Sequence, residues 1–329
     1  MIYIFFIFIN ILILIFNKKI NYYFDIYDEV NFERKIHKIR TPLTGGLIIF
    51  LNLVIIYIFE ILYLFNYFPF KIIPFNLKTF LFFICFFLVG VYDDKYNLKA
   101  NIKFLILILI SYLLLLSNNE FLIREIIFTN YQIEIESDFI VYCFTIFCFL
   151  SIINSFNMFD GINLQLGLLS FFIIFILILL NPTNIFFHIL LIALFNFILL
   201  NFNGKLFFGD SGSILIAAII GVILINLHNS QLILSESILS LLFLPGIDMI
   251  RLFVIRIYKS RHPFSPDNNH IHHLILKHHG IMLTNILLLL FTIFSYLIFK
   301  LSPNIFVNIL INTILYFTLI FYFSSKTKV

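Results

Sequence analysis

Long apolar blocks fill most of this 329-residue chain and are separated by short polar segments. Hydrophobic residues make up 62% of the chain and charged residues only 12%. A water-soluble globule with so few polar groups could not cover its apolar surface, so lipid is the expected solvent. In a bilayer every backbone amide needs an internal hydrogen-bond partner, and the alternating pattern of a β-barrel is absent. The blocks are therefore predicted to be membrane-spanning helices.

A spanning helix needs roughly 20 apolar residues, with some tolerance. The predicted fold is an all-α polytopic membrane protein, a single transmembrane domain over residues 1–329 with about 11 transmembrane helices. The candidate spans are 2–16, 46–65, 79–91, 103–117, 139–156, 164–180, 185–203, 212–228, 236–256, 281–300 and 304–323. The first lacks a basic segment and a cleavage site, so it is interpreted as a retained helix rather than a signal peptide. Alternating apolar and polar residues near 131–136 predict a short external strand or hairpin.

The distribution of lysine and arginine predicts how the chain lies in the bilayer. With segment 17–45 placed in the cytoplasm, 16 basic residues fall on the cytoplasmic side and 4 on the other. The N-terminus is then outside and the C-terminus cytoplasmic. Every side chain with catalytic potential is predicted to lie in the cytoplasmic loops near 17–45, 92–103, 157–163, 201–213 and 257–280.

Two of these segments concentrate carboxylates and amides. Asp93 and Asp94 are adjacent, which favours divalent-cation binding or general-base chemistry over the alternative, a solvated helix end. Asn157 and Asp160 are spaced to share one helix face, followed by a turn at Gly161 and by Asn163. A polar helix cap followed by a turn is the alternative reading of this second cluster.

Two further segments suit an anion. The glycine-rich stretch 203–213 enters a helix, where backbone amides bind phosphate, and Asp210 adds a hard oxygen ligand for Mg²⁺. It does not match the Walker A pattern, and an ordinary helix N-cap is the alternative. Arg261 precedes His270, His272 and His273; no cysteine or carboxylate completes a zinc site with them, so they are interpreted as hydrogen-bond donors to phosphate. Together the four clusters predict a metal-dependent phosphate site.

The same motifs, in order, resemble a known family. They are Arg34–Lys38, Pro42 to Gly46, Asp93-Asp94, Asn157 to Asn163, Gly209 to Ser213, Pro263 to Asp267 and His270 to His273. The chain is similar to the polyprenyl-phosphate N-acetylhexosamine-1-phosphate transferases, glycosyltransferase family 4. The His-Ile-His-His sequence at 270–273 resembles the N-acetylglucosamine branch, whereas the peptidoglycan translocase type has three consecutive histidines there.

The resemblance implies a magnesium-dependent enzyme, with Mn²⁺ as an alternative, that transfers a sugar-1-phosphate from a UDP-N-acetylhexosamine to undecaprenyl phosphate. It implies these roles: Asp210 and Asn157 as metal ligands; Asp93, Asp94 and Asp160 as catalytic carboxylates; Lys103 on the diphosphate; Arg261, His270, His272 and His273 on sugar and phosphate; Asn163 and Gly161 at uracil. It places the protein in a bacterial inner membrane, with its active site facing the cytoplasm, at the first membrane step of a cell-surface polysaccharide pathway such as that of O-antigen.

One departure from the family pattern concerns the nucleotide site. Many bacterial members carry an aspartate where this chain has Asn163 and a glycine where it has Leu164. The dolichol-phosphate branch resembles this chain in carrying asparagine. An amide both donates and accepts hydrogen bonds, so nucleotide binding is expected to survive.

Several alternatives stay open at this stage. A 6-deoxy-N-acetylhexosamine or the muramoyl-pentapeptide could replace N-acetylglucosamine, and attack could be direct or pass through a covalent enzyme intermediate. Relatives can form homodimers, and no nucleic acid is expected as a partner. A transporter is disfavoured because the spans hold few charges, chiefly Glu60, Asp248 and Arg251. A non-catalytic scaffold would not need the acidic clusters.

Overall fold

The computed structural model describes residues 2–29, 40–265, 267–302 and 304–326. Twelve α-helices and two small antiparallel strand pairs appear there in chain order: α1 (Ile2–Phe24), β1 (Tyr27–Asp28), β2 (Thr41–Pro42), α2 (Gly45–Leu64), α3 (Thr79–Tyr96), α4 (Ala100–Ser117), β3 (Glu125–Ile127), β4 (Gln132–Glu134), α5 (Asp138–Phe159), α6 (Gln165–Leu180), α7 (Ile185–Phe202), α8 (Gly209–Asn229), α9 (Ser235–Tyr258), α10 (Ile271–Leu276), α11 (Ile281–Leu301) and α12 (Ile305–Lys326).

The predicted all-α membrane fold is confirmed, and each of the eleven predicted spans coincides with a helix. Within the described ranges, nine helices are long and apolar enough to cross a membrane. The other three are α6 with 16 residues, α10 with six, and α3, whose final turns carry Asp93, Asp94 and Lys95. The sidedness of the termini stays a prediction.

Helix boundaries differ from the predicted spans mainly at their polar ends. Helix α1 continues to Phe24, so the predicted start of the first loop at residue 17 was wrong. Leaving the apolar block does not end a helix, because Lys18 and Lys19 are themselves good helix formers. The hairpin expected near 131–136 is confirmed, with Ile126 of β3 opposite Ile133 of β4. The β1–β2 pair and α10 were not predicted.

Helix α8 lies at the centre of the bundle, with 94% of its apolar window buried. It packs against α2, α3 and α5. Two glycines let the neighbouring backbones approach its first turn. A Cβ on Gly46 would lie 2.5 Å from the backbone nitrogen of Gly212, and one on Gly90 would lie 2.3 Å from the Cα of Ser211. Small residues at helix contacts are the usual means of close packing in membranes. The start of α8 is thereby held against α2 and α3.

Candidate active site

The ends of two helices, α3 and α5, meet the start of α8. The last turns of α3 carry Asp93 and Asp94, the last turn of α5 carries Asn157, and the first turn of α8 carries Asp210. Asp94 and Asp210 lie 116 positions apart in the sequence and are joined by a direct hydrogen bond, and Asn157 donates directly to Asp210. The expectation that Asp93, Asp94 and Asn157 sit in loops is corrected, since all three lie on helices.

Asp94 caps the N-terminus of α8. Its Oδ1 accepts from the backbone N–H of Asp210 at 2.7 Å, and its Oδ2 accepts from that of Ser211 at 3.0 Å. The first N–H groups of a helix have no partner within the helix and favour negative charge. Gly209 makes this approach possible, because its φ is +68° and a Cβ there would lie 2.7 Å from Asp94. Burial raises the pKa of Asp94 to about 7, and the charge of Asp210 adds to this rise.

Lys103, in the first turn of α4, bridges the other two carboxylates. Its Nζ lies 2.6 Å from Oδ2 of Asp93 and 2.9 Å from Oδ2 of Asp210. Asp93 also accepts from the backbone N–H of Leu98 at 2.6 Å. Burial raises the pKa of Asp93 to about 6, with Asp210 adding to the rise and Lys103 opposing it. The ammonium group therefore occupies the centre of an acidic cluster.

The turn after α5 brings a further carboxylate to the site. Asn157 donates to Asp210 and, at 3.0 Å, to the hydroxyl of Ser213. Asp160 follows at the end of α5. Burial raises the pKa of Asp160 to about 8, and the charges of Asp210 and Asp94 add to the rise. The surroundings of Asp160 therefore favour its protonated form more than water does.

The histidine tract packs against the same turn. A Cβ on Gly161 would lie 2.0 Å from Nε2 of His272, so only glycine fits there. Gln165 Nε2 lies 3.1 Å from Nδ1 of His272, and His272 is completely buried. Burial lowers the pKa of His272 well below its usual range, aided by His273 and His270. Burial and His270 lower the pKa of His273 to about 4. His272 and His273 are thus neutral at physiological pH.

Two cavities flank the Asp93–Lys103–Asp210 cluster. The larger has a volume of about 630 Å³ and the smaller about 310 Å³. Both are lined by Asp93, Asn157, Gly161 and His273. The larger adds, among others, Asp94, Asp160, Asn163, Asn201, Phe207 and Asp210. The smaller adds, among others, Leu98, Lys103, Phe104, Leu107, Met158, Arg256, Phe264, His270 and His272.

Eleven of the twelve residues predicted for the site line one of these cavities. The exception is Arg261, which is exposed in the segment after α9 and lines neither. The predicted motif Arg34–Lys38 and Pro266 lie outside the described residues. The structure thus brings the dispersed motifs together, while their individual roles stay predictions.

Arg256 is a cavity residue that sequence reasoning overlooked. It closes the predicted span 236–256 and is 4% exposed. Its Nε lies 2.7 Å from Oδ2 of Asp267, and its Nη1 donates to the carbonyl of Pro263 at 2.6 Å. A basic residue at the end of an apolar block usually indicates an anchor at the membrane–water interface. No polar motif surrounds Arg256 that would have marked it as a site residue.

Asn201 holds the backbone of the turn at Asn163 and Leu164, the segment that the family resemblance assigns to uracil. The side-chain oxygen of Asn201 accepts from the backbone N–H of Leu164 at 2.5 Å, and its amide donates to the carbonyl of Leu206 at 2.8 Å. Asn163 donates to the carbonyl of Asn201 at 3.3 Å. Leu164 has φ of +74°, a conformation that favours glycine. This strain coincides with the position where many bacterial relatives of the resembled family carry glycine.

The side chains around Asp210 suit a divalent cation that keeps part of its shell for other ligands. Among the described residues, no group of three or more His, Cys, Asp or Glu side chains is arranged to hold a metal ion. Mg²⁺ differs from zinc in this respect, because it typically takes one or two carboxylates and completes its shell with water and substrate phosphates. Asp210, with the amide oxygen of Asn157 after a flip, provides such a partial set. The residues therefore fit Mg²⁺ or Mn²⁺ bound together with a phosphate substrate.

The fold and the site together define an integral-membrane protein with a cluster of charged residues between two cavities, and comparison with known proteins shows what the chain is similar to. Residues 76–228 match the family model described as glycosyl transferase family 4. This match and the relatives below confirm the family resemblance drawn from the motifs.

Curated relatives cover most of the chain. The undecaprenyl-phosphate alpha-N-acetylglucosaminyl 1-phosphate transferase of Escherichia coli K12 is 29% identical over 284 residues, 81% of this chain and 73% of the relative. The protein of the same name from Thermotoga maritima is 27% identical over 260 residues, 79% and 76% of the two chains. That of Yersinia pestis is 30% identical over 202 residues, 57% and 55% of the two chains.

Proposed function

We propose that this protein transfers N-acetylhexosamine-1-phosphate, with N-acetylglucosamine as the sugar, from a UDP-sugar to undecaprenyl phosphate and releases UMP. The observation that carries the proposal is the Lys103 ammonium, within 2.9 Å of both Asp93 and Asp210, where the two cavities meet. A reaction between two phosphate compounds needs one pocket for each and a charge-neutralising centre between them. The names of the relatives support the same chemistry.

The larger cavity suits the sugar nucleotide. Its volume of about 630 Å³ lies within the range of small-molecule sites. Asn163 and Asn201 bring amide groups, and Phe207 brings an aromatic ring to the same wall. An amide that donates and accepts, beside an aromatic surface, is a suitable environment for uracil. The diphosphate would then extend toward Asp210 and Lys103.

The smaller cavity suits the polyprenyl phosphate. Leu98, Phe104, Leu107 and Phe264 give it an apolar wall that an isoprenoid chain can enter. Its polar side holds Lys103, Arg256 and the histidine tract. An apolar wall ending in cationic and hydrogen-bonding groups fits a lipid whose head is a phosphate. The neighbouring helices offer lipid-facing surface through which the tail would leave.

The reaction breaks one phosphoanhydride bond and forms another. An oxygen of the lipid phosphate attacks the phosphorus bonded to the sugar, and the bond from that phosphorus to the UMP oxygen breaks. Lys103 reduces the repulsion between the approaching anions, and Asp93 holds the ammonium in place. Asp210 and Asn157 would hold Mg²⁺, which supplies further neutralisation of the diphosphate. The lipid phosphate is already ionised at neutral pH, so general-base assistance from Asp93 has a small part.

The proposal includes a setting for the enzyme. We place it in a bacterial inner membrane with both cavities open to the cytoplasm, where UDP-sugars are made. The lysine and arginine distribution supports this orientation. Its product would be the first lipid-linked intermediate of a cell-surface polysaccharide such as O-antigen.

The test is a direct transfer assay. Purified protein is incubated with Mg²⁺, undecaprenyl phosphate and a panel of UDP-sugars, and the lipid product is identified by mass spectrometry. The expected product carries undecaprenyl diphosphate linked to N-acetylglucosamine, with UMP in equal amount. A product formed only from a 6-deoxy-N-acetylhexosamine or muramoyl-pentapeptide donor would replace the proposed sugar. No lipid product from any donor would overturn the transferase proposal.

A further inference from the structure

Asp248 and Arg251 place charges inside α9, and neither lines the two cavities. Their side chains are 2% and 7% exposed, and Nη2 of Arg251 donates to Oδ1 of Asp248 at 2.8 Å. Charged residues inside a membrane domain are rare and commonly functional. The other contacts of this pair indicate its role, because they include His270 of the histidine tract.

Four donors converge on the two oxygens of Asp248. Oδ1 accepts from Arg251, from the hydroxyl of Tyr316 at 2.6 Å and from the backbone N–H of Ile271 at 3.2 Å. Oδ2 lies 3.0 Å from Nδ1 of His270. The Tyr316 hydroxyl accepts in turn from Nε of Arg251 at 2.6 Å. Helices α9 and α12 therefore hold the carboxylate in one orientation, with one oxygen left for His270.

This arrangement determines how His270 faces the smaller cavity. An ionised carboxylate only accepts hydrogen bonds, so Nδ1 of His270 must carry a proton. The His270 side chain is 10% exposed and lines the smaller cavity. Across the described part of the chain, no hydrogen bond occupies its other ring nitrogen, Nε2. The ring is thus locked on one side and available on the other.

We propose that Asp248 is a positioning residue for the transfer, holding His270 so that Nε2 meets the phosphate of the lipid acceptor in the smaller cavity. Arg251 and Tyr316 act one step further away by holding Asp248. This inference rests on the proposed function and on the assignment of the smaller cavity to polyprenyl phosphate. It gives a role to charges that do not touch either substrate site.

The main test is Asp248→Asn in the detergent-solubilised full-length protein. If the amide oxygen keeps the Arg251 and Tyr316 bonds, the amide nitrogen faces His270 and can only donate to Nδ1. The ring must then take the opposite tautomer, as in the known effect of such a change on a carboxylate–histidine pair. We expect KM for undecaprenyl phosphate to rise by about 10- to 100-fold. KM for the UDP-sugar should change by less than about twofold, because its pocket is unaltered.

Asp248→Asn leaves the buried Arg251 without its counter-ion and can misfold for that reason. A second, milder variant is therefore needed. Tyr316→Phe removes one donor to Asp248 and keeps the ring. A KM rise of roughly threefold or more, confined to the lipid substrate, is expected. The matched control is Tyr112→Phe, at an exposed position of α4. A purely structural defect would reduce the fraction of active protein, which lowers the apparent kcat per total protein and leaves both KM values unchanged.

A stability measurement separates this inference from the proposed function. Melting temperatures of Asp248→Asn, His270→Gln and the double variant form a cycle that reports the contact without any catalysis. We expect the double variant to melt no lower than the weaker single variant. Additive losses of melting temperature together with unchanged KM values would overturn the inference about Asp248. Sugar transfer by the wild type would still support the proposed function in that case. If the wild type transfers no sugar, the proposed function fails, and the assignment of His270 to a lipid phosphate fails with it.

Discussion

Lys103 and Asp210 lie 107 positions apart in the chain, and their charged groups are 2.9 Å apart in the structure. The lysine also contacts Asp93, so one ammonium is shared by two carboxylates. The lysine on α4 therefore joins the carboxylates of α3 and α8 into one charged cluster.

Replacing this lysine should affect stability and metal response together. Lys103→Met leaves Asp93 and Asp210 without their shared cation, and a lost partner of a buried group costs about 1–3 kcal/mol. Without metal the variant should melt below the wild type, and added Mg²⁺ should raise its melting temperature more than that of the wild type. The chain has no tryptophan, so melting is followed by size-exclusion chromatography of heated samples. Lys99→Met, at an exposed lysine beside the same helix, is the control; an equal Mg²⁺ response in both would contradict the shared-cation account.

Removing either central carboxylate should stop transfer. Asp210→Asn loses the main candidate metal ligand, and Asp93→Asn loses the group that holds Lys103. Each is expected to lower the turnover rate by at least about 100-fold, a typical effect of losing one charge-stabilising group. The measurement is lipid-product formation per folded protein. Asp138→Asn, an exposed carboxylate paired with Arg124 at the start of α5, should keep wild-type activity. Wild-type turnover in either central variant would refute its assigned role.

Metal removal should abolish activity reversibly. The described carboxylates cannot enclose a cation alone, so a chelator such as EDTA is expected to strip it readily. Transfer should fall to background in EDTA and return when Mg²⁺ or Mn²⁺ is added in excess. The lipid-product assay measures both steps on the same sample. Undiminished transfer in EDTA would rule out the magnesium-dependent scheme.

The close contact between Gly161 and His272 predicts a steric effect. Gly161→Ala would place a Cβ 2.0 Å from Nε2 of a fully buried ring, which has little room to move. Overpacking of this kind costs about 1–3 kcal/mol, so both melting temperature and turnover should fall. Gly246→Ala is the matched control, since no atom lies within 4 Å of its added Cβ. Equal melting temperatures and turnover rates in the two variants would show that the turn at Gly161 can accommodate a Cβ.

Asp160 gives a pH-dependent prediction. Its pKa rises from 3.8 to about 8 on folding, chiefly through burial. Its contribution to stability is complete below pH 3.8 and is lost as pH rises through the folded pKa of about 8. In metal-free buffer, Asp160→Asn should therefore melt above the wild type at pH 8, and the difference should shrink toward pH 4. Melting temperatures across this range decide it; a variant that is less stable than the wild type at pH 8 would disprove the charge penalty.

The helices were predictable because lipid leaves the backbone few alternatives. Each apolar block became a helix, whereas α10 and the β1–β2 pair lie in polar tracts that carry no periodic signal. The site was predictable as a set of residues and not as a geometry. Asp93 and Asp94 look equivalent in sequence, yet the 100° rotation between successive helical residues turns one to Lys103 and the other to the start of α8.

Other features required the tertiary structure. Arg256 and Arg261 are five residues apart, and only the fold shows that the first reaches a cavity. The charges of Asp248 and Arg251 stand out in an apolar span, but their partner Tyr316 lies 65 residues or more away. No local pattern links such distant positions.

The central position of α8 also has a consequence for biosynthesis. Because α2, α3 and α5 leave the ribosome earlier, they must enter the membrane with the surface meant for α8 still facing lipid. Asp94 then lacks the two backbone N–H groups that it caps until the first turn of α8 is made. The cluster of Asp94, Lys103 and Asp210 can therefore form only after about two thirds of the chain has been synthesised.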